Sequence, residues 1–208
     1  ERLAAAFATS SRFAIAPPAL PRLAVSPSRA VSGPRTAEVL HVPLAGVDLL
    51  VRRKPGVPSV TLGYYVPRTA IEEPSLAGLG ALSIRSAVRG AGTLDAAALA
   101  YATEGLGGTL SASASLDWTG LSLGALSDNL GPAAVLLRLA AREPALREAD
   151  VLAERGVMTE EARQVADDMF RYPFQLAFAA AFGERGYGRS IGGLPETLHL
   201  KLLEPLRE

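Results

Sequence analysis

Cysteine is absent from this 208-residue chain. That excludes disulfides, thiolate catalysis and every thiolate metal site, and removes any redox clue to compartment. Histidine is almost as scarce, with only His41 and His199. A catalytic zinc takes three protein ligands, and two-histidine sites set the pair a helical turn apart or on adjacent strands. These two stand far apart with no ligand pattern around either, so each reads as an ordinary surface or core residue. Long hydrophobic runs are missing too: no stretch of 18 apolar residues escapes a charge, proline or glycine, so no transmembrane segment is expected. Neither sign of charge is in excess, with Lys+Arg and Asp+Glu both at 21. No bulk field favours nucleic acid or an acidic membrane surface. There is no G-x-S-x-G elbow. The glycines of Gly105-Leu106-Gly107-Gly108 follow a helical pattern rather than a strand, so they read as a helix stop and a turn, not a phosphate loop.

What is present describes a globular chain: 49% hydrophobic and 20% charged residues suffice for a substantial core. Residues 1–37 differ from the rest, with Pro17, Pro18, Pro21, Pro27 and Pro34, five arginines, and no acid between Glu1 and Glu38. An Arg- and Ser-rich, acid-poor start has the character of an organellar transit peptide. A semi-rigid Pro-rich linker fits the same residues and is the preferred reading. Residues 1–40 are therefore assigned to a linker or arm and 41–208 to one α+β domain.

From His41 the pattern turns to strands. Val47–Val51 and Ser59–Val66 are β-branched and aromatic, and Lys54-Pro55-Gly56-Val57-Pro58 between them signals a turn, so they read as an antiparallel pair. Gly78–Gly90 reads as a helix entered and left through glycine, with apolar residues near helical spacing and Arg85 and Arg89 one turn apart on a shared face. A second helix covers Leu94–Gly105, with Asp95 in its first turn. Thr109–Ala114 and Trp118–Leu126 form a hairpin with Leu116-Asp117 near its tip. Ser127-Asp128-Asn129 is expected to cap a helix reaching about Arg142. Further helices cover Ala149 to about Met169, Phe174–Phe182, and Pro195–Leu203, and the pattern stops at Glu208 with no closing strand. The expected fold is an antiparallel sheet with helices packed mainly on one face.

Several local patterns recur together in order: strand Val60–Val66, then Glu72-Glu73-Pro74, Gly78-Leu79, and Glu104-Gly105-Leu106-Gly107-Gly108. The hairpin with Asp117-Trp118-Thr119 follows, then Leu126-Ser127-Asp128-Asn129-Leu130, Glu154-Arg155-Gly156-Val157, Gly186-Tyr187-Gly188-Arg189 and Gly192-Gly193-Leu194-Pro195-Glu196. This sequence of motifs, over about 41–205, resembles the pitrilysin/insulinase family of metallopeptidases with the inverted zinc motif. Active members carry H-x-x-E-H on the helix after the glycine-leucine entry, two histidines for zinc and a glutamate as general base. On this chain those positions are Ala81, Leu82, Ser83, Ile84 and Arg85. Both histidines and the base are replaced, and Arg85 puts a permanent cation where an imidazole would bind one. The family's third ligand is a glutamate on a later helix, where Glu154 and Glu161 stand seven apart on one face. The bland alternative for both glutamates is a solvated helix face. The resemblance instead suggests that Arg85 pairs with Glu161 or Glu154 in place of a metal. If that site is buried, losing the arginine would strand a carboxylate at a cost of about 3–5 kcal/mol.

The resemblance implies a non-catalytic domain or subunit that builds a peptide chamber with a homologous zinc-bearing partner. Zinc is expected only in that partner, with no cofactor and no catalytic residue in this chain. Peptide would be held as an added strand on an exposed sheet edge. The alternative is a structural subunit akin to the core proteins of the mitochondrial cytochrome bc1 complex or the non-catalytic subunit of the mitochondrial processing peptidase. The glycine-rich loop of the latter has no counterpart here. An unrelated α+β binding domain is the third reading. Compartment stays open, with the bacterial cytoplasm or periplasm preferred to the mitochondrial matrix.

Overall fold

The computed structural model describes residues 35–36, 39–67, 76–183 and 186–198. The arm up to residue 34, the motif Glu72-Glu73-Pro74, His199 and the last residues of the helix expected over Pro195–Leu203 lie outside the described residues. The strands are β1 (Arg35–Thr36), β2 (Val39–Leu44), β3 (Val47–Arg52), β4 (Ser59–Pro67), β5 (Leu110–Ala114) and β6 (Trp118–Leu126). The helices are α1 (Leu79–Ala87), α2 (Ala96–Gly105), α3 (Leu130–Arg142), α4 (Glu148–Ala166), α5 (Arg171–Phe182) and α6 (Pro195–Leu198). The class is α+β and all strand pairing is antiparallel, but the strands divide between two sheets, ordered β1-β2-β3 and β4-β6-β5.

The pairing expected between 47–51 and 59–66 is not formed. β3 turns back on β2 through Ala45-Gly46, with Gly46 at φ +81°. A two-residue turn closes with less lost chain entropy than the six-residue, proline-bearing connection 53–58. β4 instead pairs along its full length with β6, from Ser59 opposite Leu126 to Pro67 opposite Trp118. That register brings Val60 and Leu62 against the buried Leu121, Leu123 and Ala125. Apolar burial thus selects β6 as the partner.

The hairpin β5–β6 forms as the sequence predicts. Its tip is held by Ser115, whose Oγ accepts the Asp117 and Trp118 N–H groups at 3.2 and 3.0 Å. α3 lays Ala133, Leu136, Leu137 and Ala140 on this sheet. Its start departs from expectation: Ser127–Asn129 is a 3-10 turn, and no side chain caps α3. Asn129 instead donates Nδ2 to the Leu106 carbonyl at 3.1 Å, tying α3 to the end of α2. Asp95 does cap α2, accepting the Ala98 N–H at 2.8 Å, so it stands just before the first turn rather than within it.

α1 buries Ala81, Leu82, Ser86 and Ala87. Ala81 and Leu82 join Val151 and Met158 of α4 and Leu198 in a second apolar cluster. α1 and α4 are therefore set face to face, which fixes everything about the site. The entry to α1 is tight. Gly78 sits at φ +95°, and a Cβ there would meet Gly193 Cα at 2.8 Å and the Gly192 carbonyl at 2.9 Å. Gly46 shares the left-handed backbone but has open space around it. Gly46→Ala is expected to cost about 1 kcal/mol of stability from backbone strain alone. Gly78→Ala should cost about 3 kcal/mol, because the backbone of 192–193 must also move. Urea unfolding of the two variants checks this, and equal losses would contradict the close approach.

Candidate functional site

Arg85 on α1 and Arg89 in the turn just past its end point toward the face of α4 that carries Glu154 and Glu161. Arg85 donates Nε to Glu154 Oε1 at 2.6 Å. Its other edge forks onto Glu161, with Nη1 to Oε2 at 2.6 Å and Nη2 to Oε1 at 3.1 Å. Arg89 takes the remaining oxygen of Glu154, donating Nε and Nη2 to Oε2 at 2.9 and 2.5 Å. Each Glu154 oxygen therefore has its own guanidinium. This matters because the Glu154 side chain is only 4% exposed, and an ionised carboxylate at that depth needs charge and hydrogen bonds to remain so. Glu161, at 52% exposed, keeps much of its water.

The cluster realises the pairing that the sequence suggests, with both glutamates at once. Arg89 is the addition. The shared face of Arg85 and Arg89 is legible in their spacing, yet nothing in the sequence says which carboxylate Arg89 meets. Glu154 is not on a solvated face; Glu161 half is. Ala81 lines the same cavity as Arg85 and Glu154, one turn earlier on α1. Ile84 does not join them: it packs against the main core, next to the sheet. His41 is remote from the cluster in sequence and meets Asp48 across the β2–β3 hairpin at 2.8 Å.

The Arg85 fork holds the Glu161 carboxyl below its ordinary value of 4.5, against a smaller opposing effect of burial. The same bond raises the Arg85 guanidinium, so it stays charged at any working pH.

A zinc ion, which the resemblance implies for this place in active relatives, does not fit these residues. The Ala81 methyl has no lone pair, the Arg85 guanidinium is a cation with five donors and no acceptor, and both Glu161 oxygens are already bonded to it. Among the described residues, no group of three or more His, Cys, Asp or Glu is placed to hold a metal. The cluster itself offers charged donors and acceptors, suited to binding and holding.

Beside the cluster, α1, α2 and β5 enclose a cavity of about 730 Å³. Arg85, Arg89 and Glu154 line it together with Leu110, Ala112 and Ala114 of β5. β5 is the terminal strand of its sheet among the described residues. The Gly124 N–H donates to the Thr109 carbonyl at 3.0 Å, and the Ser115 N–H to the Trp118 carbonyl at 2.8 Å. Odd-numbered residues of β5 therefore bond to β6, and Leu110, Ala112 and Ala114 aim their N–H and C=O groups at the open edge.

The fold, an antiparallel hairpin flanked by helices, recurs in solved structures. The chain superposes on the peptidase M16 inactive domain from Pseudomonas fluorescens with a TM-score of 0.70 at 19% identity, over 81% of this chain and 42% of that one. It superposes on pitrilysin with a TM-score of 0.69 at 22% identity, over 85% of this chain and 20% of that one. A chain of complex III from Candida albicans matches with a TM-score of 0.64 at 17% identity, over 80% and 38%. The chain has this fold, and it spans less than half the length of each of these proteins. No family model and no curated protein matches the sequence.

Two predictions follow from the cluster. Because each arginine backs up the other at Glu154, Arg85→Met or Arg89→Met alone should cost about 1.5 kcal/mol. The double variant strands a buried carboxylate and should cost about 5 kcal/mol, more than the roughly 3 kcal/mol sum of the two single losses. Urea unfolding at neutral pH measures all three, and strict additivity would contradict the shared role. Glu161→Gln removes a half-exposed pair and should cost about 0.5–1 kcal/mol at neutral pH. Since the folded carboxyl sits below its ordinary value, that contribution is whole above the ordinary carboxylate range and vanishes as pH falls through the lowered folded value. The gap between wild type and Glu161→Gln must therefore close on acidification, and a gap that widens would contradict the pairing.

Proposed function

We propose that this chain is a non-catalytic domain of a pitrilysin-like zinc peptidase assembly, forming part of a peptide chamber with a homologous, zinc-bearing partner domain. Ala81, Ile84 and Arg85 stand at the positions of the lost H-x-x-E-H residues, with Glu154 and Glu161 on the helix that would complete the site. The observation that carries the reading is Arg85: its guanidinium bridges Glu154 and Glu161 at 2.6 Å each, in the place where the resemblance puts a metal. A cation that cannot be lost holds α1 against α4 and removes the need for zinc in keeping the domain together.

The chain's own part is to hold substrate. Its open edge at Leu110, Ala112 and Ala114 presents alternate backbone donors and acceptors, which suits an extended peptide added as a strand. Backbone bonds of this kind bind many sequences and leave side-chain choice to the cavity beneath.

A second reading draws on the likeness to a chain of complex III: a structural subunit with no peptidase role. Copurification separates the two. A companion chain or domain bearing H-x-x-E-H, with peptidase activity in the mixture and none in this chain alone, supports the first reading. Co-isolation with membrane respiratory subunits supports the second. Peptide hydrolysis by the isolated chain, stopped by a chelator, would overturn both.

A further inference from the structure

We infer that the cavity under β5 selects an acidic residue in the bound peptide, with Arg89 as the anchor for its carboxylate. The inference rests on the reading that β5 takes a peptide strand, and adds which side chain that strand presents. The open-edge residues of β5 are the same residues whose side chains line the cavity, Leu110, Ala112 and Ala114. In an antiparallel or parallel ladder, residues directly opposite one another point their side chains to the same face. Peptide residues lying opposite Leu110, Ala112 and Ala114 therefore send their side chains into the cavity. The alanines leave that space unfilled.

The charge in the cavity is not evenly committed. Both oxygens of Glu154 and both of Glu161 are occupied by guanidinium donors. Arg85 is held on two sides by those two carboxylates. Arg89 is held on one edge only, through Nε and Nη2. Both hydrogens of its Nη1 are unpaired among the described residues, and its side chain is 46% exposed. An arginine engaged on one edge keeps a second edge able to accept another carboxylate with charge-assisted bonds. A basic peptide side chain finds no unoccupied oxygen on Glu154 or Glu161 to bond to. Glu104 also lines the cavity but is exposed, on α2 rather than α1. As an anion it cannot anchor a carboxylate.

The probes are three fluorescein-labelled, N-acetylated heptapeptides of alternating Thr and Val whose central residue is Glu, Gln or Lys, read by fluorescence polarisation on the 208-residue chain. The Glu peptide should bind about tenfold tighter than the Gln peptide, as expected for one charged bond gained, and the Lys peptide weakest. Arg89→Gln should erase the Glu-over-Gln preference, Arg89→Lys should keep part of it, and Glu104→Gln, which removes a like charge from the cavity, should not lessen it. Circular dichroism of each variant verifies that the fold is retained. Ala112→Pro removes an edge-facing N–H, which an edge strand tolerates, and should weaken all three peptides alike. If Ala112→Pro weakens binding but Glu and Gln peptides bind equally, the acidic preference is wrong and strand addition stands. A preference that survives Arg89→Gln also overturns the assignment. If none of the three peptides binds wild type, strand addition fails and this inference with it.

Discussion

A carboxylate buried to 4% exposure between two helices is the constraint on which the arrangement of this domain depends. Glu154 comes from the long helix α4, whose buried apolar residues, Val151 and Met158, pack on Ala81 and Leu82 of α1. Apolar packing brings the helices together without fixing the rotation of one against the other. The ions do fix it. Glu154 must find two donors, Arg85 on α1 and Arg89 in the turn just after it, and turning one helix against the other would break these bonds. The tight passage of Gly78 against Gly192 and Gly193 then sets where α1 begins. The buried carboxylate need not add net stability, since a buried ion pair gives back in Coulomb attraction about what desolvation takes. Its effect is to make one packing of α1 on α4 much better than its neighbours.

Much of this was legible in the sequence, and the reasons differ by element. The hairpin β5–β6 was, because both strands and their turn are local and carry alternating small apolar residues. The partnership of Arg85 with the α4 glutamates was legible only through the resemblance, which supplies the long-range pairing of segments that periodicity cannot. Three features were hidden. The partner of β3 is decided by competition between a two-residue turn and a longer proline-bearing one, which strand propensity does not weigh. Asn129 has the residue type of a helix cap but spends its amide on the Leu106 carbonyl, a tertiary contact. Arg89 looked like an unspecified neighbour of Arg85 until the depth of Glu154 was known. Burial of a carboxylate is a property of the packed helices rather than of the residues around it.

The domain shares its fold with proteins described as an inactive peptidase domain and as pitrilysin. Under the proposed function, the Arg85 bridge joins α1 to α4 where active relatives would use a metal. Isothermal titration of zinc into wild type and into the Ala81→His/Arg85→His variant tests this most directly. The account predicts no saturable zinc binding to wild type, and binding of one ion by the variant, in which two imidazoles replace the methyl and the guanidinium and Glu161 is freed. One equivalent of zinc bound by wild type, or a variant that binds no more than wild type, would contradict it.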